Sequence, residues 1–222
     1  MNHLVLFATN GEHGTNDRSY WSERIINTCK DKNWEAESFV WTYQRLADSH
    51  LFRSRREYLS TNLGYWLWKP YIILDALLTM PEGDTLMWID SDLVIGQVDL
   101  LQEMVESLSV ENDMIFFYLT RLNGTMTTEQ CFQLMGMTEA KYRETPQVWA
   151  ALHLWKKTTR SQKFCLDWLS YCFNPDILVS SVEYGRSTHR WDQSILTNLI
   201  VHEGITPLSN ERAQVCMHPP NS

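Results

Sequence analysis

Two aspartates one residue apart, Asp90 and Asp92, close the apolar run Thr85-Leu86-Met87-Trp88-Ile89-Asp90-Ser91-Asp92. Trp88 and Ile89 favour extended backbone, and Pro81-Glu82-Gly83-Asp84 supplies the turn before them. Alternation along a strand would send both carboxylates to one side, where they repel unless a cation lies between them. A divalent metal at the strand tip is the economical expectation, because open α/β sheets bind ligands beyond the carboxyl ends of their strands. A further acid, Asp192, begins a helix that stays apolar through Leu199 and Ile200 and stops near Gly204. Taken alone it is most simply an acid favoured by the helix dipole.

Lys69 is the candidate cation. It stands in Gly64-Tyr65-Trp66-Leu67-Trp68-Lys69-Pro70, ahead of a helical stretch running through Ile72, Ile73, Leu74, Ala76, Leu77 and Leu78 to Met80. Pro70 suits a first helical turn, which puts Lys69 at a helix amino terminus, where anions dock. Tyr65, Trp66 and Trp68 singly read as core. A lysine among them shifts the balance, since a buried cation without an acidic partner is costly. Arg53, Arg55 and Arg56 lie close together and suit either a solvated face or phosphate contact. His218, in Cys216-Met217-His218-Pro219-Pro220, belongs to a tail that need not be ordered.

The elements that must position these groups alternate between strand and helix. Leu4 to Ala8 is a first strand running into Thr9-Asn10-Gly11; Ser19 can cap a helix carrying Trp21, Ile25, Ile26 and Cys29; Glu37 to Trp41 is a second strand. After the acidic strand come an amphipathic helix from Val98 to Leu108 and a strand from Asp113 to Tyr118. Then follow a helical stretch from Thr128 holding Phe132, Leu134 and Met135, a strand or loop into strand from Gln147 to Trp155, and a helix opened by Ser161.

With 222 residues and no low-complexity linker, one α/β domain over residues 1–222 is expected. Lysine and arginine number 19 against 27 acids, a net charge of -8, which argues against a nucleic-acid or anionic-membrane surface. The amino terminus has no basic n-region, and no segment is apolar for long enough to span a bilayer, so a soluble, cytoplasmic protein is expected. Five scattered cysteines without a CxxC pair indicate neither a disulfide framework nor a zinc site. Asn123-Gly124-Thr125 matches a glycosylation sequon but has no secretory signal to give it meaning. Ten tryptophans are many for this length, and aromatic faces stack well on bases and sugar rings.

The order of first strand with a polar turn, GYWLWKP helix, strand ending in DSD and then His189-Arg190-Trp191-Asp192-Gln193-Ser194-Ile195-Leu196 resembles small GT-A-fold glycosyltransferases. It is similar to short bacterial, viral and algal sugar transferases, and is sharpest over residues 64–92 and 189–196. The resemblance implies a Rossmann-like GT-A fold with a mixed, mostly parallel sheet flanked by helices. It also implies an enzyme taking a nucleoside-diphosphate sugar, UDP-linked by expectation, and a glycan or glycosylated acceptor, with Mn2+ or Mg2+. On that reading the acidic pair looks like a DxD motif: Asp92 ligates metal, Asp90 shares it or contacts the donor ribose, and His218 completes the site, with His202 as the fallback. Thr9 and Asn10 would face the nucleotide and Lys69 the diphosphate or sugar. Trp149 and Ala150, with Ala151, would floor the donor sugar. Asp192 would either deprotonate the acceptor hydroxyl or stabilise positive charge on the anomeric carbon; use as a general base implies inversion, whereas a merely positioning role is compatible with retention. Many relatives carry an arginine just before GYWLWKP, where this chain has Thr61-Asn62-Leu63, so Arg55 or Arg56 would have to make that contact.

Two rivals come from other classes. Asp90-Ser91-Asp92-Leu93-Val94 also satisfies the first motif of haloacid-dehalogenase phosphohydrolases, with Asp90 as nucleophile and Asp92 as acid/base. That motif normally opens the chain, whereas two strands precede it here. The other rival is a catalytically silent nucleotide- or sugar-binding module.

Overall fold

The computed structural model describes residues 1–7, 19–53, 62–179, 189–209 and 216–217. The chain opens with β1 (Asn2–Phe7), α1 (Ser19–Asp31), β2 (Glu37–Trp41) and α2 (Tyr43–Asp48). It continues through α3 (Trp68–Thr79), β3 (Thr85–Ile89), β4 (Val94–Ile95), α4 (Val98–Glu106), β5 (Met114–Ile115) and β6 (Tyr118–Leu122). It ends with α5 (Glu129–Leu134), α6 (Ala140–Glu144), β7 (Pro146–Val148), β8 (Leu152–Lys156), α7 (Thr159–Cys172), α8 (Pro175–Leu178), α9 (Asp192–His202) and β9 (Cys216–Met217).

The central sheet has the order β2-β1-β3-β8-β5. β2, β1 and β3 are parallel, while β8 runs antiparallel to both of its neighbours, β3 and β5. Four of the five strands therefore share one direction. Period-two alternation sorts side chains to two cores. Val5, Phe7, Leu86, Trp88 and Trp155 join α3, α7 and α9 on one face. Leu4, Leu6, Met87, Ile89, Leu152 and Leu154 join α1 and α4 on the other. Strands buried on both faces read as continuous apolar runs, which is why β1 and β3 are plain in the sequence.

Several boundaries moved for local reasons. α3 starts at Trp68, two residues before Pro70; the missing proline N–H falls in the first turn, where no intrahelical acceptor exists. Thr158, not Ser161, caps α7: its hydroxyl accepts from Ser161 N at 3.0 Å, and the Ser161 hydroxyl accepts from Thr158 N at 3.0 Å. The apolar run from Asp113 to Tyr118 is not one strand. Phe116 and Phe117 point into opposite cores, Leu208 bridges beside them, and the chain leaves the main sheet so that β6 pairs with β7. The sequon is structural: Asn123 is fully buried, donates to Asn198 Oδ1 and Tyr142 O at 2.8 Å each, and accepts from Thr127 Oγ1 at 2.6 Å. Among the described residues no helix is long and apolar enough to cross a membrane.

Candidate functional site

The carboxyl end of β3 is organised by alternation. Leu86 and Trp88 face α3, so Asp90, two residues on, falls on the same side, where Lys69 projects from the first turn of α3. Lys69 Nζ lies 2.9 Å from Asp90 Oδ1 and 3.2 Å from Oδ2, and donates to Ala150 O at 2.8 Å. Trp88 Nε1 donates to Asp90 Oδ1 at 3.0 Å. The lysine side chain is 3% exposed and that of Asp90 26%, so the pair is a largely desolvated ion pair open at one corner. The Lys69 ammonium also stands 5.6 Å above the Trp88 ring. The buried lysine thus has the acidic partner that its burial demands. The structure keeps Lys69 in the first turn of α3, as the sequence predicts, and pairs it there with Asp90.

Asp92 does not continue the strand. β3 stops at Ile89, and Leu93 N donates to Asp90 O at 3.1 Å, so Asp90 to Leu93 form a turn. The same-side argument from strand alternation therefore holds for Trp88 and Asp90 and does not extend to Asp92, which sits half-exposed on the turn. β4 follows at once and pairs antiparallel with β9, Val94 opposite Met217 and Ile95 opposite Cys216. β9 therefore runs toward the acidic turn, and His218 is the next residue in sequence. Among the described residues no three His, Cys, Asp or Glu side chains gather to hold a metal ion. Asp90 and Asp92 are two carboxylates on one turn, the oxygen ligand type that hard cations take.

Asp192 comes to the same place from α9. It is 4% exposed, its Oδ2 has no hydrogen-bond partner, and its pKa is raised to about 7. Burial is the main cause; the Lys69 charge opposes it, Asp90 reinforces it, and the Gln193 backbone favours the charged form. Trp168 Nε1 donates to the Asp192 backbone carbonyl at 2.9 Å and fixes the helix start. Before it, Gln193 N donates to Arg190 O at 3.0 Å, closing a four-residue turn, and Trp191 holds φ 48° and ψ -121°. That is the first central position of a type II′ turn, normally occupied by glycine.

The segment between β7 and β8 is pinned from both sides. Ala150 N donates to Gln193 Oε1 at 3.2 Å while Ala150 O accepts from Lys69, and Asp90 N donates to Ala151 O at 2.9 Å. Trp149 N donates to Phe117 O at 2.7 Å. Lys69, Asp90, Ala150 and Asp192 are thus brought together at one end of the sheet, with Trp149 next to Ala150 in the chain and Asp92 two residues beyond Asp90. His202 is elsewhere: at the far end of α9, within 3.3 Å of the Tyr142 hydroxyl. Thr9, Asn10, Arg55, Arg56 and His218 lie outside the described residues. The chain does leave β1 at the same end of the sheet as Asp90, since Val5 pairs with Trp88 in parallel register.

Three participants were not anticipated. Gln193 clamps Ala150 and donates to Gln147 Oε1 at 2.8 Å. Trp88 orients Asp90 through its indole N–H. His153, opposite Trp88 in the β3–β8 pair, is fully buried among Phe116, Trp155 and Trp168, with neither ring nitrogen hydrogen-bonded. Burial, and then the Lys69 charge, push its pKa well below the usual value and keep it neutral. The one sequence signal for His153 was its parity with the inward Trp155.

No family model and no curated protein sequence matches the chain. Solved structures do. The crystal structure of mouse xyloside xylosyltransferase 1, in its apo form, superposes with a TM-score of 0.55 at 12% identity, covering 95% of this chain and 86% of that one. The fold is GT-A. The galactosyltransferase LgtC, solved with donor and acceptor sugar analogues, is similar at a TM-score of 0.48 and 14% identity over 90% of this chain and 70% of that one. The sheet order explains why Asp90 and Ala150 converge: β3 delivers Asp90, and antiparallel β8, inserted between β3 and β5, begins at the same end with the segment that carries Ala150.

Proposed function

We propose that this chain is a metal-assisted glycosyltransferase that moves a sugar from a nucleoside-diphosphate sugar, UDP-linked, to a hydroxyl of a glycan acceptor. The observation that carries this reading is the meeting of Asp90 and Asp192 around Lys69 at the carboxyl end of β3 in a GT-A fold. The similarity of the fold to a xyloside xylosyltransferase supports it.

Asp92, with Asp90 and His218, would hold Mn2+ or Mg2+, and Thr9, Asn10 and Arg56 would meet the nucleotide. A cation so held neutralises the charge that grows on the departing nucleoside diphosphate. Asp90, already matched by Lys69 and Trp88, keeps a fixed carboxylate for hydrogen bonding to the donor ribose. The acceptor oxygen bonds to the anomeric carbon as the bond from that carbon to the diphosphate oxygen breaks. A carboxyl titrating near neutral pH is suited to the rest: Asp192 can take the acceptor's proton, or it can set negative charge beside the oxocarbenium-like carbon while that proton passes to the departing diphosphate oxygen. Trp149 and Ala150 floor the donor sugar, with Lys69 and Gln193 holding that floor in place.

A phosphohydrolase using Asp90 as nucleophile fits less well, because that motif normally opens the chain, whereas β1 and β2 precede β3 here. The test is a thermal-shift and donor-hydrolysis screen of nucleotide sugars with manganese, magnesium and chelator. Metal-dependent stabilisation by one nucleoside diphosphate, with slow hydrolysis of its sugar conjugate, is expected. Silence there, with turnover of a simple phosphate ester, would overturn the proposal.

A further inference from the structure

Tyr65, Trp66 and Trp191, all half-buried and packed against the core, meet where Trp191 leads into Asp192. Trp66 and Trp191 stack with centroids 5.0 Å apart and planes 17° from parallel, and Tyr65 lies 5.9 Å from Trp191. The backbone beneath them is unusual. Tyr65, Trp66 and Trp191 hold φ of 51°, 63° and 48°, and among the described residues the only other non-glycine with positive φ is Asn33. Bulky residues adopt such angles rarely, and strained backbone of this kind clusters where ligands are held. Two separate segments, one leading into α3 and one into α9, are both held in left-handed backbone where their aromatic rings meet. Glycine at position 191 would suit the turn better than tryptophan does, so the ring contributes something that the turn geometry does not require.

The second observation is Asp192 itself. It is 4% exposed with Oδ2 lacking any partner, a buried acceptor that a ligand hydroxyl would satisfy. It directly follows Trp191 in the chain.

We infer that the solvent-exposed part of the Trp66–Trp191 stack, with Tyr65 at its side, forms a platform that receives a sugar ring of the acceptor, which is therefore a saccharide, with one of its hydroxyls directed to Asp192. The C–H face of a pyranose is apolar and lies flat on aromatic rings, while its edge carries the hydroxyls that Asp192 needs. This rests on the transferase reading of Asp192.

Saturation-transfer NMR on the full chain, using methyl glycosides of glucose, galactose, xylose and N-acetylglucosamine with and without UDP and manganese, tests it. Saturation of the C–H protons on one ring face is expected for at least one glycoside. Trp191→Gly removes the ring and relaxes the turn, so its melting temperature should not fall below that of Trp191→Ala. It should weaken glycoside binding about tenfold or more, on the scale of stacking contacts, and leave UDP affinity unchanged. Trp191→Phe should retain most of the binding. Glycoside binding untouched in Trp191→Gly, or seen with no glycoside, overturns the platform; loss of UDP affinity together with glycoside binding assigns the rings to the nucleobase and overturns it too. The two readings fail separately. Donor hydrolysis without any glycoside signal sinks the platform alone, whereas glycoside binding without donor hydrolysis sinks the transferase and leaves a saccharide site.

Discussion

Asp90 and Asp192 are the same residue type at the same end of one sheet, yet their surroundings differ in kind. Asp90 has an ammonium at 2.9 Å and an indole N–H at 3.0 Å, and keeps one corner in water. Asp192 is more deeply buried, has an oxygen with no partner, and is pushed up to about 7. One lysine feels both, but it contacts Asp90 and only acts on Asp192 through space. The difference teaches which acid is held and which is poised: a satisfied carboxylate positions, and an unsatisfied one is available for a proton or a ligand hydroxyl.

The sharpest way to break this contrast is Lys69→Met. It leaves Asp90 without its cation and Ala150 O without its donor. Removing one partner of a buried pair costs about 3–5 kcal/mol, and the water reaching Asp90 places this case at the low end. Urea unfolding should show the loss, and Lys69→Met combined with Asp90→Asn should recover part of it; equal midpoints for the single variant and wild type would show that the pair contributes nothing.

Asp192→Asn sharpens the other half. A carboxyl whose folded pKa lies above its ordinary 3.8 binds more protons folded than unfolded, so the stability linked to it is complete below that value and is lost as pH rises toward about 7. The wild type should lose up to about 1.4 kcal/mol per pH unit across that window relative to the asparagine variant, read as diverging melting temperatures between pH 4 and 7. Transfer should fall by about 10²–10⁴-fold while nucleoside-diphosphate affinity stays close to wild type. Parallel melting curves would remove the raised pKa from the account.

Smaller effects test the remaining contacts. Trp88→Phe deletes the indole N–H to Asp90 and some buried volume, and should cost about 1–3 kcal/mol by chemical denaturation. Asp92→Ala, on a half-exposed turn, should change stability by no more than about 0.5 kcal/mol and yet abolish the metal-dependent part of nucleotide stabilisation in thermal shift. Unaltered metal dependence would take Asp92 out of the site.

Much of the frame was legible because it depended on local pattern. β1 and β3 are apolar runs, β2 matched its expected bounds residue for residue, and α3 and α9 follow from proline, glycine and helical periodicity. The stretch from Asp113 to Tyr118 misled for a physical reason: apolar alternation does not say which sheet a residue joins, and a switch at Phe116 and Phe117 looks the same as a continuous strand. The pairing of β9 with β4 was equally invisible, since two residues in a tail carry no periodicity of their own.

By itself the sequence determined the strand that ends in two acids, the lysine at a helix start, the acid opening the last long helix, and their order along the chain. Tertiary structure alone decided which of them touch. Lys69 and Asp90 meet because β3 alternation and the start of α3 fall on the same face of the sheet, a coincidence of register between segments 21 residues apart. The raised pKa of Asp192 comes from desolvation, which no stretch of sequence contains. The left-handed turn that lays Trp191 on Trp66 is imposed from outside, because locally a tryptophan would avoid it.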